Sequence, residues 1–200
     1  VITVSHTAVA TVAAIELAGA TPVLVDIVAE TFTLDPAALD AAVTSRTRAV
    51  IPVHLYGHPA DMETIMRFAR EHDLKVIEDS AETLGGEFNG KKTGSFGVGC
   101  VSFFPTKNIT TGEGGMITTN NDEVAATVRK LINHGSEKKY YHDLVGYNYR
   151  MTDIAASIGI EQLKKLMSYN EKRKKNAEYL TKNLQGINGI ICPEVSDGHV

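Results

Sequence analysis

Cys100-Val-Ser-Phe-Phe-Pro-Thr-Lys-Asn-Ile-Thr-Thr-Gly-Glu-Gly-Gly-Met-Ile-Thr-Thr119 is the stretch from which the rest of the chain is read. An apolar strand leads into Lys107, and a glycine-rich turn returns the chain to a second strand, Met116–Thr119. Val101, Phe103, Phe104 and Ile109 prefer burial, so the lysine is carried on an apolar segment. An ammonium deprived of water releases its proton more readily, and the free amine attacks carbonyl carbon. Gly112-Glu-Gly-Gly115 lacks both the Lys-Ser/Thr ending of a P-loop and the strand-to-helix G-x-G-x-x-G pattern, and reads as a tight turn.

Upstream, Leu74-Lys-Val-Ile-Glu-Asp79 reads as a buried strand with a carboxylate at its carboxyl end, where open α/β sheets place ligands. A lysine at one strand end and an aspartate at another is the pairing that pyridoxal phosphate requires. The lysine holds the aldehyde covalently, and the aspartate keeps the pyridine nitrogen protonated so that the ring accepts electrons.

Further out, strands and helices alternate. Thr7–Leu17 is alanine-rich and reads as a helix closed by Gly19, and Thr21–Ile27 as a strand. Asp35 and Pro36 supply an N-cap and a first-turn proline for a helix running to Val43. Ala49–Leu55 reads as a strand, and Asp61–His72 has apolar residues at helical spacing. This order implies right-handed crossovers and a mainly parallel sheet covered by helices on both faces. Asp122–His134 reads as a helix closed by Gly135, Ser136–Tyr149 as a long functional loop, and Thr152–Gln185 as two helices, the first capped by Thr152. Lys172-Arg-Lys-Lys175 reads as a solvated helix face, and Ile190–Pro193 as the start of another strand.

Charged residues make up 22% of the 200 residues and the net charge is −4, so no basic field points to nucleic acid or to an anionic membrane surface. No stretch reaches the roughly 20 apolar residues of a membrane span, and the expected location is the cytoplasm. Cys100 and Cys192 match no metal spacing and are expected as reduced, buried thiols. His54 and His58 are four apart, but Pro52, Gly57 and Pro59 exclude a helix between them, and a zinc site is not expected.

Glu78-Asp-Ser-Ala-Glu-Thr-Leu-Gly-Gly86, Gly94-Ser-Phe-Gly97, Ser102-Phe-Phe-Pro-Thr-Lys107, Gly112-Glu-Gly-Gly-Met116 and Gly146-Tyr-Asn-Tyr-Arg-Met151 occur in that order. Together with Val4–Thr11 and Gly19–Val23 they resemble the DegT/DnrJ/EryC1/StrS family of pyridoxal-phosphate-dependent sugar aminotransferases, over nearly the whole chain. The resemblance implies the large domain of the fold type I pyridoxal-phosphate-dependent transferases. It implies pyridoxal 5'-phosphate as cofactor, glutamate as expected amino donor, and a nucleotide-linked keto-sugar as acceptor.

It also implies site roles. Lys107 is the catalytic lysine, and Asp79 faces the pyridine nitrogen. His6 stacks on the ring, Glu82 contacts its hydroxyl edge, and Ser102 binds the phosphate. Asn148 reaches the phosphate of a neighbouring subunit, which makes a homodimer with shared sites. In the related sugar 3-dehydratases a histidine replaces the lysine, so Lys107 argues against that branch; a noncatalytic sugar- or cofactor-binding relative is the other reading. Val1-Ile-Thr-Val opens in a strand without a methionine, so the chain is expected to be an internal fragment. The expected divisions are a cofactor-binding domain over 1–150 with its N-terminal part missing, a helical connection over 151–185, and the start of a small C-terminal domain over 186–200.

Overall fold

Residues 1–195, 198 and 199 are described by a computed structural model. The chain opens with β1 (Ile2–Val4), α1 (Val9–Leu17) and β2 (Val23–Val25). A 3-10 turn (Pro36–Ala38) leads into α2 (Leu39–Ala42), and β3 (Ala49–Ile51) is followed by a second 3-10 turn (Leu55–Gly57). Then come α3 (Met62–Glu71), β4 (Lys75–Asp79), the short pair β5 (Glu87–Phe88) and β6 (Lys91–Lys92), β7 (Val98–Ser102) and β8 (Gly115–Thr118). The chain continues through α4 (Asp122–Leu131), β9 (Ser136–Lys138), β10 (Tyr141–His142), α5 (Asp153–Leu163) and α6 (Leu166–Leu184).

The main sheet has six strands in the order β2-β1-β3-β4-β7-β8. The first five run parallel, and β8 returns antiparallel beside β7. Parallel alignment brings the carboxyl ends of β1, β3, β4 and β7 to one edge, so the loops after them converge. Ile2, Val4, Val50, Leu34, Leu39, Met62 and Ile65 are fully enclosed in the core between the sheet and its helices. A second cluster, Val101, Phe103, Ile109 and Leu166, lies around the segment that carries Lys107.

Local chemistry starts the helices where the sequence placed the signals. Asp35 accepts from the Ala37 N–H, Asp61 from Thr64 and Thr152 from Ala155, each supplying one of the acceptors that a helix start leaves wanting. At α4 the cap is Asn121, which accepts from Glu123 and Val124, while Asp122 lies in the first turn. The basic run of α6 is exposed, as its flanking glutamates suggest, and Lys175 pairs with Glu171.

Three readings change. Ser136–Tyr149 contains an antiparallel hairpin, β9–β10, whose register shifts at Tyr141 and His142; that irregularity, and Tyr140 at φ 69° in its turn, hide the alternation by which a hairpin is read. Ile190–Pro193 forms no strand: it follows Gly186 and Gly189, both at positive φ, and is exposed at Ile190, Ile191 and Pro193, with no neighbouring strand to pair with among the described residues. Cys100 and Cys192 are both free, but each is half-buried. The domain expected over 186–200 extends onto residues 196, 197 and 200, which lie outside the described residues.

Candidate active site

Lys107 lies in the loop between β7 and β8, held by its own N–H to the Phe104 carbonyl at 3.0 Å. Thr110 Oγ1 and the Thr111 N–H both donate to the Phe103 carbonyl and close the loop behind it. The lysine side chain is 17% exposed, and its Nζ stands 3.2 Å from Glu82 Oε1. The apolar setting foreseen for this lysine therefore includes a carboxylate. Glu82 is fixed in turn: its Oε2 accepts from the Tyr56 N–H at 2.9 Å.

Asp79 ends β4, with its backbone paired to Cys100 of β7 and its N–H bonded to the Pro52 carbonyl. Both carboxylate oxygens are committed: Thr11 Oγ1 donates to Oδ2 at 2.7 Å and the Ala81 N–H to Oδ1 at 3.1 Å. Thr11 is itself buried, and its hydroxyl meets that of Thr7 at 3.0 Å. A carboxylate gripped by two donors keeps one orientation, which is what an aspartate facing a ring nitrogen needs.

His6 follows β1 and is exposed, with Nε2 2.9 Å from the Tyr56 hydroxyl. Its ring lies edge-on to Tyr56 and tilted against Phe32, with centroids 5.8 and 6.2 Å away. Ser102, the last residue of β7, accepts from the Phe104 N–H at 3.3 Å, which leaves its own hydroxyl proton to donate. Lys107, Glu82, Asp79, His6 and Ser102 thus come from the carboxyl ends of β7, β4 and β1, along one edge of the sheet.

Asn148 is not drawn into this group. It lies exposed between β10 and α5, bridged to Asn133, with its Oδ1 taken by the Arg150 guanidinium at 3.1 and 3.3 Å. Because a guanidinium only donates, the atom facing it is the carbonyl oxygen, and the carboxamide NH2 is directed elsewhere.

Sequence reading passed over Tyr56 and Thr11. Tyr56 lies in the His54-Leu-Tyr-Gly57 turn with no spacing signal; Thr11 reads as one more residue of an alanine-rich helix. It also left Glu78 without a role of its own. Glu78 is fully buried and accepts from His54, Gly94, Phe96 and Gly97. Burial raises its carboxyl, but the bonds from His54 and the glycine N–H groups prevail and hold it below the usual range. His54 in turn accepts the Ala60 N–H on Nδ1, so both its ring nitrogens are committed within the core.

A mainly parallel sheet with a lysine and an aspartate at its carboxyl edge is the α/β architecture of the aminotransferases, and solved structures of that class match it closely. The chain belongs to the DegT/DnrJ/EryC1/StrS aminotransferase family, which it matches over residues 1–200. It is 46% identical to a pleiotropic regulatory protein of Geobacillus stearothermophilus, over 99% of this chain and 54% of the relative. It is 46% identical to GDP-perosamine synthase of Caulobacter vibrioides, over 98% of this chain and 54% of that enzyme. The structure of S. venezuelae DesV in complex with a ketimine intermediate aligns with a TM-score of 0.96 at 39% identity, covering 100% of this chain and 54% of DesV. The chain thus spans about half the length of the relatives it matches.

Proposed function

We propose that the protein is a pyridoxal 5'-phosphate-dependent aminotransferase that moves an amino group, with glutamate as donor, to a keto group of a nucleotide-linked sugar. The observation that carries this reading is the pairing of Lys107 with Glu82 at 3.2 Å, on the same edge of the sheet as a carboxylate, Asp79, locked by Thr11 and Ala81. The donor set fits the cofactor: an amine for its aldehyde, an oriented carboxylate for its ring nitrogen, a ring at His6 and a hydroxyl at Ser102. When bound, pyridoxal phosphate supplies an electron sink for the carbon that loses its proton.

Each residue then has a task. Lys107 would hold the cofactor through Nζ, and as a free amine the same atom would accept and return a proton. Glu82 would hold Nζ in place and offer a carboxylate at the ring's hydroxyl edge. Asp79 keeps a proton at the ring nitrogen, His6 covers a ring face, and Ser102 donates to the phosphate. Asn148 would donate its NH2 to the phosphate of a second copy, making the active unit a homodimer. Tyr147 and Tyr149, stacked at 4.8 Å and exposed on either side of Asn148, and the exposed Ile154 of α5, support a contact surface there. Residues 1–150 would form the cofactor domain and 151–185 a helical connection. No helix among the described residues is long and apolar enough to cross a membrane, and we place the protein in the cytoplasm.

Borohydride reduction in the presence of pyridoxal phosphate, followed by peptide mapping, tests the assignment. The expected adduct is at Lys107, and Lys107→Ala should lose steady-state transamination by at least about a thousandfold while keeping its fold. Full turnover by that variant, or an adduct at another lysine, would refute it.

A further inference from the structure

Two of the residues assigned to the cofactor, His6 and Glu82, follow different strands, β1 and β4, and a single residue from a third loop touches both. Tyr56 lies in the 3-10 turn after β3. Its backbone N–H donates to Glu82 Oε2 at 2.9 Å, and its hydroxyl lies 2.9 Å from His6 Nε2. Since Glu82 Oε1 stands 3.2 Å from Lys107 Nζ, the polar contacts run unbroken from Lys107 through Glu82 and Tyr56 to His6.

The backbone of Tyr56 is unusual. It has φ 56° and ψ 25°, in the left-handed region that a bulky residue rarely occupies, and Gly57 follows at φ 84°. Burial does not account for this conformation, because Tyr56 is 67% exposed. What the conformation achieves is visible at its two ends: the reversed backbone turns the N–H toward Glu82 while the side chain extends to His6. Phe32, also at positive φ, completes the cluster, with its ring 6.1 Å from Tyr56 and 6.2 Å from His6. Backbone kept in a sparsely populated region beside a candidate site is the situation in which strain accompanies function.

We propose that Tyr56 is a positioning residue of this site, fixing the His6 imidazole through its hydroxyl and the Glu82 carboxylate through its backbone N–H. The inference rests on the cofactor reading above for the use to which the two residues are put. A phenol is the better donor and an unprotonated imidazole nitrogen the better acceptor, so Tyr56 donates to Nε2 and neutral His6 carries its proton on Nδ1. One residue thereby sets the face that covers the cofactor ring and the carboxylate that faces Lys107.

Two substitutions remove the side-chain contact to different extents and leave the backbone contact in place. Tyr56→Phe keeps the ring and the N–H and removes only the hydroxyl. Tyr56→Gly removes the whole side chain and keeps both the N–H and a residue at ease at positive φ. The first readout needs no cofactor: nitrogen NMR of the full chain labelled in histidine, at a pH where imidazole is neutral. His6 should show the Nδ1–H form in the wild type and a mixture of the two forms in Tyr56→Phe.

The second readout is pyridoxal 5'-phosphate affinity by absorption titration, which should fall by about 2- to 10-fold in Tyr56→Phe, the range for one hydrogen bond. In Tyr56→Gly the fall should be larger, while the melting temperature of Tyr56→Phe stays at the wild-type value. An unchanged His6 form together with unchanged affinity in Tyr56→Phe would overturn the proposal, as would a lowered melting temperature with an unchanged His6 form. Borohydride mapping of the wild type keeps the two readings apart: absence of the Lys107 adduct refutes the cofactor assignment, while the His6 measurement still decides whether Tyr56 positions the imidazole.

Discussion

Glu78 and Asp79 are adjacent carboxylates on one strand, and the alternation of side chains sends them to opposite faces. Glu78 enters the core, where four donors satisfy it. Asp79 faces the candidate site, held by Thr11 and Ala81. Both act on a third residue, Cys100, which pairs with Asp79 across the ladder. Burial, with the Asp79 and Glu78 carboxylates adding to it, pushes the Cys100 thiol above its usual range. Since the thiolate is the reactive form, Cys100 should alkylate with iodoacetamide at pH 8 at least about tenfold more slowly in the folded chain than in urea. Mass mapping of the modified peptide over time checks this; equal rates in the two conditions would show that the thiol is neither buried nor opposed by the carboxylates.

The segment between β6 and β7 shows how a loop becomes part of the site's foundation. Gly94, Phe96 and Gly97 all donate backbone N–H groups to Glu78, wrapping the loop about one buried carboxylate. Gly97 has no room for a side chain, because a Cβ there would collide with the Val76 carbonyl of β4. Gly97→Ala should therefore destabilise the fold by about 1–3 kcal/mol, the usual cost of overpacking a tight interior. Urea unfolding followed by circular dichroism measures it. An unchanged midpoint would mean that the loop shifts freely and that the Glu78 clamp is not rigid. The sequence places Gly94-Ser-Phe-Gly97 in a motif, but only the packing explains why the second glycine is required.

At the scale of the whole molecule, two groups packed into the interior, His58 and Glu78, make stability respond to acid. Burial, followed by the neighbouring His199 and His54, pushes His58 down to about 4, so the folded chain resists a proton that the unfolded chain accepts near its ordinary value of 6.5. Between those values the unfolded state binds more protons, and stability falls as pH is lowered from about 6.5 to about 4. Glu78, held below its usual 4.5, contributes stability that is present above that pH and lost as pH falls through its lower folded value. Urea midpoints measured from pH 7.5 to 3.5 should decline in two stages. His58→Gln should remove the first and leave the second; persistence of the first stage in that variant would assign it to another group.

The sequence by itself determined the alternation of strands and helices from β1 to β4 and the helices α4 to α6, the caps at Asp35, Asp61 and Thr152, the turn at Gly112–Gly115, and the family to which the chain belongs. Each of these is local: a periodicity, a capping side chain or a run of motif residues is complete within a few positions. It also singled out Lys107 and Asp79, which stand at the ends of apolar strands, and, through the family resemblance, Glu82, Ser102 and His6. Which of them touch was decided only by the tertiary structure. The contact between Lys107 and Glu82 spans 25 residues, that between Thr11 and Asp79 spans 68, and that between His6 and Tyr56 spans 50. Such contacts arise when parallel pairing of β1, β3, β4 and β7 brings their carboxyl ends to one edge, and no local pattern records which side chains then fall within hydrogen-bond reach. For the same reason the pattern could not reveal the burial of Glu78 or the left-handed turn at Tyr56, each held by contacts distant in sequence, while the hairpin at Ser136–His142 was hidden by its own irregular register.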